Sequence, residues 1–163
     1  MTWQNEMARI LRYIINDIDA STYSDDRLEE TLLIAAQLLF HNVEFDNTYT
    51  IDVDTLVLSP DPTTLSTKDN AFINLVIMKA ACIILGSETK TLAAQAYRIK
   101  DGPSSIDIGP AYEATKQLQS EICTKLEQMI FEYRAGNSIV GHAIMTPYTQ
   151  NGINTGYPTR NFY

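Results

Sequence analysis

Between Asp69 and Leu85 the chain loses its alternation of polar and apolar positions. Thirteen of these seventeen residues are apolar, from Ala71 and Phe72 to Ile84 and Leu85, and no single stripe holds them. A helix that is apolar nearly all round must be covered on most sides. The stretch therefore predicts a buried helix on which the rest of the chain packs, about 25 Å long at ~1.5 Å per residue. Asp69 or Ser66 can cap its start, and Gly86 can end it in the left-handed conformation. The run is too long for an ordinary strand. Lys79 in its middle and an apolar length under about 18 residues argue against a membrane span.

Two amphipathic segments precede it. Met7, Ile10, Leu11, Ile14, Ile15 and Ile18 recur at three- and four-residue steps, which predicts a helix over Trp3–Ile18. Trp3 either staples the start of that helix or docks on a neighbouring chain. After the polar turn Asp19–Tyr23, Ser24 is a good N-cap, and Asp25 and Asp26 fall where the helix dipole favours negative charge. Leu28, Leu32, Leu33, Ala35, Ala36, Leu39, Phe40 and Val43 then form the buried face of a second helix. The acidic pair lacks further oxygen ligands at loop spacing, so capping is preferred over metal binding.

The period changes at Tyr49. Tyr49, Ile51 and Val53 alternate with Thr50, Asp52 and Asp54, which predicts a half-buried strand over Tyr49–Leu58 with both aspartates on its solvent face. Ser59-Pro60-Asp61-Pro62 stops it. Beyond Gly86, Ser87–Ala96 predicts a short helix. Tyr97–Lys100 and Ser105–Ile108 predict two strands about the turn Asp101-Gly102-Pro103-Ser104. The tip of this hairpin carries Arg98, Lys100 and Asp101 and is expected to be exposed. Gly102 lacks the spacing of a phosphate-binding loop. Pro110 suits the first position of a last helix, Pro110–Ala135, whose apolar face holds Tyr112, Leu118, Ile122, Cys123, Leu126, Met129, Ile130 and Tyr133. A helix of that length often projects or lines a subunit contact, and Gly136-Asn137 ends it.

From Asn137 onward no helical period remains. Gly, Pro, Thr and Asn are interleaved with Ile139, Val140, Ile144 and Met145, and with the aromatic residues Tyr148, Tyr157, Phe162 and Tyr163. Aromatic residues on an irregular segment suggest an arm that orders against a partner. The alternatives are a tail folded back on its own domain and a frayed end. The whole pattern predicts a mainly α fold. A small bundle of about four helices, with β elements near 49–58 and 97–108, occupies residues 1–136. An extended C-terminal arm follows over 137–163.

Composition sharpens this picture. At 163 residues the chain is one domain with a tail, long enough to bury most of its apolar surface without disulfides. Cys82 and Cys123 both fall on apolar helix faces and are expected to be buried free thiols in a reducing cytoplasm. Twenty acidic residues against 12 basic ones, a net charge of -8, argue against a surface built to neutralise phosphates. No basic-then-apolar leader follows Met1, so no secretion signal is expected. His41 and His142 are the only histidines, and neither has cysteine or carboxylate at ligand spacing. No serine sits in a Gly-x-Ser-x-Gly elbow. No catalytic, cofactor-binding or metal-binding residue is expected, and the chain is not expected to be an enzyme. A site dispersed over distant carboxylates is the remaining enzymatic reading.

The order of parts carries a resemblance. A first helix leads to Thr22-Tyr23-Ser24-Asp25-Asp26-Arg27-Leu28-Glu29-Glu30 and an alanine-rich helix. An Ile-Asp-Val strand, Ser59-Pro60-Asp61-Pro62-Thr63 and an apolar helix follow. Ile99-Lys100-Asp101-Gly102-Pro103-Ser104-Ser105-Ile106-Asp107 then precedes the last helix. Over roughly Trp3 to Ala135 this resembles the head-to-tail connector (adaptor, or neck) proteins of tailed bacteriophages. The resemblance implies a structural virion protein at the head–tail interface, assembled in the host bacterial cytoplasm. Its copies would form a homo-oligomeric ring, usually twelvefold in that family. The ring would join the portal protein to the tail or to tail-terminator and neck proteins. DNA would pass through the lumen without specific binding, which suits an acidic chain. No cofactor and no membrane partner are implied. The alternative reading is a small helical protein–protein interaction module with a C-terminal ligand tail.

Overall fold

A computed structural model describes residues 2–95, 98–101, 104–107 and 109–137. The chain divides into two units, Met1–Ile130 and Phe131–Tyr163, and the core belongs to the first. The described elements run in the order α1 (Trp3–Ile15), α2 (Asp25–Phe40), β1 (Thr50–Asp52), β2 (Val57–Ser59), α3 (Asn70–Gln95), β3 (Arg98–Asp101), β4 (Ser104–Asp107) and α4 (Gly109–Asn137). The fold is mainly α, with four helices and short β hairpins among the described residues, as the hydrophobic pattern predicts. The expected arm lies outside the described residues apart from Asn137.

α3 is the central helix. Phe72, Ile73, Leu75, Val76, Ile77, Ala80, Ala81, Ile84 and Leu85 are all buried. α1 supplies Trp3, Met7 and Leu11 to the same core. α2 adds Leu28, Leu32, Leu33, Ala35, Ala36 and Leu39. Each such large side chain removed from water contributes about 1.5–3 kcal/mol. α3 is long and apolar enough to cross a membrane, but 61% of its most apolar window is buried inside the fold, as in a core helix. Its start is capped as expected. Asp69 Oδ1 accepts the Phe72 backbone N–H at 3.0 Å, and Asp69 Oδ2 accepts the Tyr49 hydroxyl at 2.7 Å and the Asn47 amide at 2.9 Å. Tyr49 stacks on Phe72 with ring centroids 4.1 Å apart, and Phe45 meets Phe72 edge-on at 5.1 Å. The first hairpin is thereby tied to the head of α3.

Several boundaries differ from the sequence reading. α1 stops at Ile15 because Asn16 adopts a left-handed conformation, φ 59°, and its N–H bonds the Arg12 carbonyl. Ile18 is consequently 58% exposed and does not belong to the buried face. The stretch expected as one strand over 49–58 is a hairpin, with Thr50 opposite Ser59 and Asp52 opposite Val57. Asp52 makes the turn: its Oδ1 accepts the backbone N–H groups of Asp54 at 3.0 Å and Thr55 at 3.2 Å. Asp52 and Asp54 are both exposed, but around a turn rather than along one strand face.

α3 also runs through Gly86 to Gln95, so no break and no separate helix at Ser87 occur. Gly86 instead lies beside the end of a side chain from α4. A Cβ built there would lie 3.0 Å from Nε2 of Gln119 on α4. The two cysteines are not free: Cys82 of α3 and Cys123 of α4 form a disulfide, with Cα atoms 5.3 Å apart. That separation is within the range a disulfide spans. The helices place the two cysteines opposite each other, a pairing that a sequence separation of 41 conceals.

Candidate functional site

The Ser24–Arg27 helix start, which carries part of the resemblance, proves to be the exposed side of a polar corner whose inner members, Arg12 and Asp17, are buried. Ser24 Oγ accepts the Arg27 backbone N–H at 3.3 Å. Arg12, on α1, reaches across the turn between the helices. Its Nη1 donates to Asp17 Oδ2 at 2.5 Å, and its Nη2 donates to the Tyr23 carbonyl at 2.9 Å and to Asp25 Oδ1 at 2.6 Å. The Asp17 carboxylate also accepts the backbone N–H groups of Thr22 at 2.9 Å and Tyr23 at 3.2 Å. Burial pushes the Asp17 carboxyl up, but those two N–H groups and the Arg12 charge outweigh it and hold the pKa below its ordinary value. The corner fixes how α1 turns into α2. Sequence reasoning missed Arg12, which sits beside Leu11 on the apolar face. The available signal was a basic residue in the last turn of a helix with Asp17 five positions on.

Tyr23 extends the corner towards α3. Its hydroxyl donates to Glu88, and the Arg27 guanidinium lies 4.9 Å over its ring. Burial, together with the Glu88 carboxylate, pushes the tyrosine pKa well above its ordinary value, so the hydroxyl remains a donor. An open cavity of about 360 Å³ lies beside Tyr23, Arg27, Glu88 and Thr91. Its polar walls are already engaged with one another, and the described residues contain no group of three or more His, Cys, Asp or Glu side chains able to hold a metal.

The second hairpin sits between α3 and α4 in the chain. β3 pairs antiparallel with β4, Arg98 opposite Asp107 and Asp101 opposite Ser104. Asp101 is thus next to the turn and Lys100 one step back, but Arg98 is at the open end and not at the tip. The placement of Arg98, which was expected at the tip, is corrected by this register. The four aromatic residues expected to anchor a partner, Tyr148, Tyr157, Phe162 and Tyr163, lie outside the described residues.

α4 is the least covered helix of the first unit. Of its described side chains up to Ile130, Leu126 alone is buried. Ile122, Met129 and Ile130 are half-buried, and Leu118 is 44% exposed. The apolar face read from the sequence is present but only partly used by the fold. Met129 and Lys125 of α4, with Ile10 and Ile14 of α1 and Ile77 and Met78 of α3, border an open groove of about 210 Å³. Elsewhere on α1, Tyr13 is 65% exposed. These surfaces suit contact with another macromolecule better than chemistry on a small one.

Compared with known proteins, the chain matches no family model, no curated protein and no solved structure.

Proposed function

We propose that this chain is a structural head-to-tail connector of a tailed bacteriophage virion, acting as one subunit of a ring between the portal and the tail. The observation that carries the reading is α4. A helix of 29 residues follows α1, α2 and α3 and leaves Leu118 exposed and Ile122, Met129 and Ile130 half-buried. Such a face is suited to side-by-side packing of copies, a heterologous contact that closes when the rotation between subunits closes. The resemblance over Trp3–Ala135 supplies the ring, usually twelvefold, and its place in the virion. The net charge of -8 suits a lumen along which DNA slides without binding.

In this proposal residues 137–163 form the arm that grips the portal, with Tyr148, Tyr157, Phe162 and Tyr163 as anchors. The β3–β4 hairpin, with Lys100 and Asp101 near its turn, is a second partner-facing element. The role is structural and not enzymatic. Deleting residues 137–163 is expected to leave the helical unit folded by circular dichroism while abolishing co-sedimentation with the portal from the same genome. A truncated chain that still joins the portal would overturn the arm assignment.

A further inference from the structure

We propose that Cys82 and Cys123 form a redox latch: as a disulfide they hold α4 against α3, and as two thiols they let α4 release. Little else clamps that helix. α3 buries nine apolar side chains against its neighbours, whereas residues 111–130 of α4 bury Leu126 alone. The disulfide is centred on the same seam. Cys123 lies four residues after Gln119, whose amide meets Gly86, and three before Leu126, so all three share one helix face. On α3, Cys82 and Gly86 are likewise four residues apart. The Gln119 side chain thus reaches α3 beside Gly86, one helical turn from the disulfide.

Both cysteines are only half-buried, so small thiols and disulfides reach them. The latch closes by exchange with a low-molecular-weight disulfide such as oxidised glutathione. One cysteine thiolate attacks it, forming a mixed disulfide and releasing one glutathione thiolate. The other cysteine then displaces the second glutathione, so two protein thiols are oxidised and one glutathione disulfide is reduced to two thiols. Excess dithiol reverses the exchange. The loop the latch closes, 41 residues in sequence separation, contains the β3–β4 hairpin, and the groove lined by Ile77, Met78 and Met129 has one wall on each latched helix. Opening the latch therefore loosens the hairpin and uncovers apolar surface of α3.

The test is hydrogen exchange by mass spectrometry on the full chain, oxidised with glutathione disulfide or reduced with dithiothreitol, beside the double variant Cys82→Ser/Cys123→Ser. The expected result is that reduction speeds exchange in peptides covering 111–130 at least tenfold, while 25–40 and 70–81 keep their protection. The double variant should exchange like the reduced protein in both buffers. Exchange in 111–130 that ignores reductant would overturn the latch. So would a rise that spreads equally to 25–40, which would make the disulfide a staple of the whole fold. Two alkylatable thiols in the native chain after glutathione disulfide treatment would overturn it as well.

Discussion

The guanidinium of Arg12 lies 2.5 Å from a carboxylate oxygen of Asp17, with 10% and 3% of the two side chains exposed. The second carboxylate partner of Arg12, Asp25, is 76% exposed. The same arginine thus makes one buried and one surface ion pair, and the two should differ in weight. Removing one member of a buried pair strands the other charge, at a cost of about 3–5 kcal/mol. An exposed pair contributes about 1 kcal/mol or less. Arg12→Ala and Asp17→Ala are expected to lower the unfolding free energy in urea by the larger amount, and Asp25→Ala by the smaller. Equal losses from Asp17→Ala and Asp25→Ala would show that the corner is not organised by the buried pair.

Asp17 also sets an acid limit. Its folded pKa is below its unfolded value of about 3.9, because the Thr22 and Tyr23 N–H groups and Arg12 outweigh the effect of burial. A depressed carboxyl contributes stability that is complete above the unfolded pKa and is lost as pH falls through the folded one. Asp69 is depressed likewise, since the Phe72 N–H, Asn47 and Tyr49 outweigh its burial. Urea midpoints should therefore hold steady down to about pH 4.5 and fall steeply below it. Asp17→Asn should start lower at neutral pH and lose less on acidification. A variant whose acid limb parallels the wild type would remove Asp17 from this role.

Gly86 offers a test of a different kind. It sits inside a continuous helix, where glycine costs about 1 kcal/mol relative to alanine. The group that an added Cβ meets at 3.0 Å is the amide end of the half-exposed Gln119 side chain, which can move aside. Gly86→Ala is expected to be neutral or to raise stability by up to about 1 kcal/mol. A loss of more than that in thermal unfolding would mean that Gln119 is held in place by the α3–α4 seam.

These sites show which parts of the structure the chain announces locally. The core of α3, the Ser24 cap and the Asp69 cap are short-range patterns of apolarity and of oxygen next to a helix start, and each was readable. The turn at Asp52 was not, because Tyr49, Ile51 and Val53 alternate as in one strand while the reversal depends on one carboxylate accepting two N–H groups. The continuation of α3 through Gly86 was hidden for a related reason. Glycine is a common helix stop, and only the arrival of Gln119 from α4 gives it another use. The Cys82–Cys123 pair is a tertiary juxtaposition, and the Arg12–Asp17–Asp25 corner is made by side chains across a turn, neither of which apolar periodicity encodes. The β3–β4 register shows the same limit on a small scale, since the turn was legible and the distance of Arg98 from it was not.

The exposed face of α4 carries the assembly prediction. Leu118 is 44% exposed, so replacing it should leave the folded monomer unaffected. A charge placed within an apolar subunit contact is strongly opposed. Leu118→Glu is expected to keep the wild-type thermal midpoint of the monomer while shifting assembled material to single subunits by size-exclusion chromatography with light scattering. Unchanged assembly would move the subunit contact to another surface.

Electron microscopy of the purified full chain, paired with native mass spectrometry and repeated in the presence of the portal from the same genome, measures the connector reading most directly. Closed rings of about a dozen subunits, alone or seated on the portal, are the predicted result, the closed form of a heterologous contact. A chain that stays monomeric and forms no joint ring when the portal is supplied would contradict it, and would favour a small helical interaction module instead.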